Sequence, residues 1–142
     1  MLLMLAVFGF VLVADQLAKA MIVARLEEGA FTSGILGIRL RHVINRRKPW
    51  GSKGAVRILT ILWVLISAVA LIVTGMIDTQ SSHVALGALM GGATGNLLDG
   101  ISRNGVTDFI DLRVWPVFNV ADAAIVSGAV LLLWNVVGFP TG

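Results

Sequence analysis

The chain has 142 residues, of which 57% are hydrophobic and 13% charged, about half the charge of an ordinary soluble domain, and its mean hydropathy is +0.91. That length suits one domain, and the composition makes it a membrane domain. The formal net charge is +3, and the absence of cysteine excludes disulfides, thiolate metal sites and cysteine nucleophiles.

The first apolar run covers residues 1–24 and is interrupted by Asp15 and Lys19. It has no basic lead and no convincing small-residue cleavage site, so it reads as a retained helix. Asp15 and Lys19 are four apart and can neutralise each other, as a structural ion pair at the membrane edge. The longest polar segment follows, at about 26–54. Within it Ile38, Leu40, His42 and Ile44 alternate with Arg39, Arg41 and Val43, a period of two that predicts a short strand. A second helix is expected at about 55–76 and a third at 83–100, where Gly87, Gly91 and Gly95 recur every four residues and permit close helix packing. Residues 101–116 read as a loop. Trp115 and Pro116 then suit an interfacial anchor and a helix start, with the fourth helix at about 117–139. Each run is close to the ~20 residues that cross a bilayer. The expected fold is an all-α membrane protein, a single domain over 1–142, with four transmembrane helices and a small β-containing cradle between the first two. His42 and His83 are isolated and read as polar loop or interface residues, so no metal site is expected.

An aspartate at the bilayer centre costs about 2.5–3.5 kcal/mol on insertion scales, so acids in such a chain need a reason. Asn96 and Asp99 end the third helix, Asp108 and Asp111 fall in the following loop, and Asn119 and Asp122 begin the fourth helix on one face. Apart from Asp78, Glu27 and Glu28, every acid converges on one end of the bundle. Two carboxyls held close in a low dielectric cannot both ionise, so one keeps a proton while the other acts as base. Such a pair can activate water against an amide and protonate the departing amine. Spacing leaves open which two aspartates pair, and a proton or ion relay would use the same acids.

The stretches "DQLAK", "GNLLDG", "VTDFID" and "FNVADAAI", in that order, resemble the motifs of the lipoprotein signal peptidases (type II signal peptidases), over essentially the whole chain. The resemblance implies a four-helix intramembrane aspartyl protease of the bacterial cytoplasmic membrane, which removes signal peptides from diacylglyceryl-modified prolipoproteins. It implies Asp108 and Asp122 as the catalytic dyad, with Asp111 a supporting surface residue. Asp15, Lys19, Asn45, Asn96 and Asn119 match positions that shape the site and hold substrate, and the 26–54 segment matches an extracytoplasmic cradle. Water is the nucleophile, so no metal or organic cofactor is expected; nor is a nucleic-acid partner, and the chain is expected to be a monomer. Two departures stand out. "NRRKPWG" replaces a family stretch of the N-x-G-A-A-F-G kind, and Gly100 stands where the family has arginine, with Arg103 the candidate substitute.

Every lysine and arginine lies on the side of the long loop, which the positive-inside rule assigns to the cytoplasm. The resemblance instead turns that side and the site outward, where the basic loop would meet anionic lipid headgroups. Two other functions fit parts of the sequence. A non-catalytic paralogue binding lipidated or hydrophobic peptides would explain the altered loop and Gly100, but not two retained acids. A proton-coupled carrier would need polar residues through the depth of the helices, and the second and fourth are apolar along most of their length.

Overall fold

The computed structural model describes residues 1–32, 38–46, 51–76 and 79–137. Arg47, Lys48, Pro49 and Trp50 of the unusual loop, Asp78 and the expected helix end near Phe139 lie outside them. In chain order the elements are α1 (Leu2–Arg25), β1 (Phe31–Thr32), β2 (Arg39–Asn45), α2 (Gly51–Met76), α3 (Gln80–Ser102), β3 (Val106–Asp111) and α4 (Val120–Val137).

Among the described residues, α1 and α4 are long and apolar enough to cross a membrane, with mean hydropathies of 1.8 and 1.9. Only 11% and 17% of those stretches are buried, so they are not core helices of a soluble protein. Phe10, Val13 and Leu17 on α1, and Val126, Val130 and Leu133 on α4, are instead exposed. A shorter apolar stretch, Val56–Ala70, lies in α2.

α3 packs against all three other helices. Its small residues make this possible: a Cβ on Gly87 would lie 2.6 Å from the Met4 carbonyl oxygen, and one on Gly91 would lie 2.8 Å from that of Phe8. These two glycines seat α1. Gly92, on a different face, seats α4 in the same way, 2.5 Å from the Ala121 oxygen. Ala70, Ala85, Leu86, Leu89 and Leu132 form the apolar core deeper in the bundle. α3 starts at Gln80 rather than His83 because Thr79 and Ser82 form a reciprocal capping box.

The small sheet supplies the β element expected beside the helices. It has three antiparallel strands in the order β1-β2-β3. β2 is the strand anticipated from alternation, but β3 occupies 106–111, where a loop was expected, so the sheet is not confined to 26–54. In β3 every residue except Ile110 is buried. A strand covered on both faces has no reason to alternate, which removes the period-two signal. His42 lies on β2, where the alternation placed it; it is buried, and its Nδ1 donates to the Leu26 carbonyl at 2.8 Å. α4 begins at Val120, not 117, because Phe118 still pairs with Ile110 and Asn119 caps the helix.

Candidate active site

Five elements meet where α4 begins. β3 brings Asp108, placed opposite Val43 of β2, and the first turn of α4 brings Asp122. Asn119 connects them. Its Oδ1 accepts the Asp122 backbone N–H at 2.8 Å, and its own N–H donates to Asp122 Oδ2 at 3.3 Å, a reciprocal helix cap. The same side chain sends Nδ2 to Asp108 Oδ1 at 2.9 Å and to the Thr107 carbonyl at 3.2 Å. Asn96 of α3 donates from Nδ2 to Asp122 Oδ1 at 2.8 Å, and Asn45 of β2 reaches Asp108 Oδ2 at 3.4 Å. Asp108 is buried while Asp122 is half-buried. Burial, followed by the neighbouring Asp122 charge, pushes the Asp108 carboxyl up to about 6. Hydrogen bonds from Asn45 and Asn119 and the Lys19 charge oppose that rise without cancelling it.

Beneath this pair lies a second cluster. Asp15, Lys19 and Asp99 are all fully buried. Lys19 Nζ lies 2.7 Å from Asp15 Oδ2, 3.2 Å from Asp99 Oδ2 and 3.1 Å from Asn96 Oδ1. Asp15 Oδ1 accepts the Ala121 N–H at 2.8 Å, tying α1 to the first turn of α4. Asp99 Oδ2 accepts the Thr107 N–H at 2.9 Å, which fixes the start of β3, and Oδ1 pairs with Arg103. Gln16 Nε2 spans Asp15, Asp99 and the Gly95 carbonyl at 3.2–3.3 Å. The ion pair expected at the membrane edge is thus an interior junction of three charged side chains.

All eight residues singled out in the sequence, Asp15, Lys19, Asn45, Asn96, Arg103, Asp108, Asn119 and Asp122, belong to these two connected clusters. Asp111 does not. It is buried at the far end of β3, 3.0 Å from Arg39 and accepting the Arg113 N–H at 2.8 Å, which corrects its reading as a surface residue. That backbone hydrogen bond, then Arg39, holds its carboxyl below the usual range. Asp99 was named among the convergent acids without a role, and Gln16 and Thr107 were not singled out. Asp99 carried a signal, being three residues after Asn96 on the same helix; Gln16 and the Thr107 backbone carried none. At Gly100 a Cβ would meet Leu59 Cδ1 at 2.9 Å, so α2 occupies the space, and Arg103, one turn on from Asp99, pairs with that carboxylate.

Beside Asp122 a cavity of about 270 Å³ is lined by Trp115, Phe118, Ala123, Val126 and Ser127. A second hollow, which shares Val126 and Ser127, is lined by Val130, Leu131 and Trp134 farther along α4. Among the described residues no group of three or more histidine or acidic side chains is placed to hold a metal ion.

The model of the signal peptidase II family matches residues 7–138. The lipoprotein signal peptidase of Syntrophomonas wolfei is 37% identical over 131 residues, covering 89% of this chain and 87% of that one. That of Halothermothrix orenii is 33% identical over 126 residues, 87% of each. The structure superposes on a solved bacterial membrane enzyme with a TM-score of 0.84 at 23% identity, over 96% of this chain and 94% of the other. A match across this much of the chain, with the sheet and the polar junction in place, makes it a member of the signal peptidase II family.

Proposed function

We propose that the chain is an intramembrane aspartyl endopeptidase that removes the signal peptide from diacylglyceryl-modified prolipoproteins. Family membership makes it a peptidase, and its relatives are named for lipoprotein signal peptides. The observation that carries the aspartyl assignment is the meeting of Asp108 and Asp122 around Asn96 and Asn119, with neutral amide and backbone N–H groups donating to both carboxylates. The raised Asp108 carboxyl suits it to hold the proton, which leaves Asp122 as the base. Water between them loses a proton to Asp122 and attacks the scissile carbonyl. The proton on Asp108 stabilises the developing oxyanion, and protonation of the amine by the pair completes the cleavage.

All four helices are read as membrane spans of one domain in the bacterial cytoplasmic membrane. The sheet lies with the site at the extracytoplasmic face, where the basic 26–54 segment meets anionic headgroups. The apolar hollows beside Asp122 and along α4 support a substrate that arrives from within the bilayer. The test is a cleavage assay with purified enzyme and a prolipoprotein carrying, or lacking, the diacylglyceryl group. Cleavage of the lipidated form alone is expected. Binding without product would replace the reading with that of a non-catalytic paralogue.

A further inference from the structure

We propose that a groove between the end of α1 and the sheet seats an acyl chain of a glycerophospholipid with an anionic headgroup, whose phosphate Arg25 binds. The inference rests on the reading of α1 as a membrane span and is independent of the peptidase chemistry.

The groove forms where α1 leaves its apolar run. The helix ends at Arg25, and the Leu26 carbonyl that follows accepts the His42 Nδ1 hydrogen at 2.8 Å. That bond pins β2 to the end of the helix, and a cavity of about 410 Å³ lies between helix and sheet. Ala18, Met21 and Ile22 wall it from α1, and Leu26, Leu40 and Phe109 complete the apolar lining. Thr32 and Arg25 supply its polar groups. Phe109 follows Asp108, but successive side chains of a strand point to opposite faces. The groove shares no lining residue with the hollows along α4.

Two features select the occupant. The first is shape and setting. Met21, Arg25 and Leu40 are exposed, so the groove opens to the surroundings of α1, which for a spanning helix are lipid. A partner helix, about 10 Å across and 5.4 Å per turn, would use up such a volume in roughly one turn. A slender hydrocarbon chain fits along it.

The second feature is charge. Arg39 pairs with Asp111, Arg46 with Glu28 and Arg103 with Asp99, whereas among the described residues Arg25 enters no ion pair. A cation in a last helical turn answers the helix dipole, but that role requires no groove beside it. An exposed cation at the rim of an apolar groove, where a spanning helix ends, matches a phosphate joined to acyl chains. A neutral diacylglyceryl group would fill the groove and leave that cation unanswered.

The test titrates phosphatidylglycerol into the purified, delipidated protein in a neutral detergent and counts bound lipid by native mass spectrometry. One equivalent should bind ahead of the rest. Arg25→Gln should weaken it about fivefold, the worth of one basic residue at a charged membrane surface, and Arg25→Lys should restore most of the loss. Leu40→Gln, which places an amide in the apolar wall, should also weaken it. Arg41→Gln should not, because Arg41 is exposed on the same sheet but does not line the groove. An equal loss in Arg41→Gln would show diffuse attraction to a basic surface and overturn the proposal. So would equal binding of a diacylglycerol with the same chains, or displacement by glycerol 3-phosphate, which would reveal a neutral-lipid or a free-anion site instead. Should Leu40→Gln fail to fold, the three variants at the exposed arginines decide. A wild type that stays dispersed without detergent would refute the membrane reading of α1 instead, so the two failures are distinguishable.

Discussion

Two groups of acids, buried except for the half-buried Asp122, meet where α4 begins, and they differ in what answers their charge. Asp15 and Asp99 share the ammonium of Lys19, Asp99 adds Arg103, and both accept backbone N–H groups that fix where α4 and β3 begin. Among the described residues, the hydrogen-bond donors to Asp108 and Asp122 are neutral N–H groups, and the two lie close enough for one charge to raise the other carboxyl. Burial alone therefore does not distinguish a structural acid from a reactive one. The partner does: a cation beside a carboxylate ties it down, whereas a second carboxylate leaves a proton to be shared. Asp111 belongs with the structural acids through Arg39.

The largest effect that sharpens the contrast is on turnover. Asp122→Asn should lower cleavage by about 10²–10⁴-fold, the usual contribution of a positioned acid or base, while thermal unfolding in detergent stays cooperative. On the structural side, Lys19→Met leaves Asp15 and Asp99 without their shared cation and should destabilise the fold by about 3–5 kcal/mol, as breaking a buried ion pair does. A small change in denaturation midpoint would show that the lower cluster is not structural.

The third effect is linked to pH. Burial pushes the Asp108 carboxyl from an ordinary 3.8 up to about 6 in the folded chain, so between these values the native state binds a proton that the unfolded chain has released. Its contribution to stability is fully present below about 3.8 and is lost as pH rises through about 6. Asp108→Asn removes that loss, and above this range it should be more stable than the wild type by up to about 3 kcal/mol, at 1.36 kcal/mol per unit. Unfolding midpoints measured at acid and neutral pH check the sign. A smaller effect tests the platform beneath both clusters: Gly91→Ala forces a Cβ against the Phe8 carbonyl and should cost about 1–3 kcal/mol by overpacking, measured in the same way.

Much of this organisation was visible in the chain. Apolar runs near the bilayer length marked α1, α2 and α4, and the spacing of Gly87, Gly91 and Gly95 marked the face of α3 that receives α1. The convergence of acids at one end was readable because Asp99 and Asp122 lie near helix ends and Asp108 and Asp111 fall between those helices. β3 was hidden, since residues buried on both faces do not alternate. Asp99 was seen but not valued, because its partners, Lys19, Arg103 and the Thr107 N–H, come from three elements whose meeting no local spacing reveals. Asn119 was placed at a helix start, yet its second bond, to Asp108, exists only because β3 passes beside that start. The sequence motifs pointed to Asp108 and Asp122 through family likeness; bottom-up spacing left their pairing open.

Asp108 and Asp111 offer the most direct test, because they lie three residues apart on one strand, both buried, and differ in partner. Initial rates of signal-peptide release from a diacylglyceryl-modified prolipoprotein should be measured for Asp108→Asn and Asp111→Asn side by side. The account predicts that the first loses cleavage while remaining folded and that the second stays close to wild type. Equal rates in the two variants would contradict it.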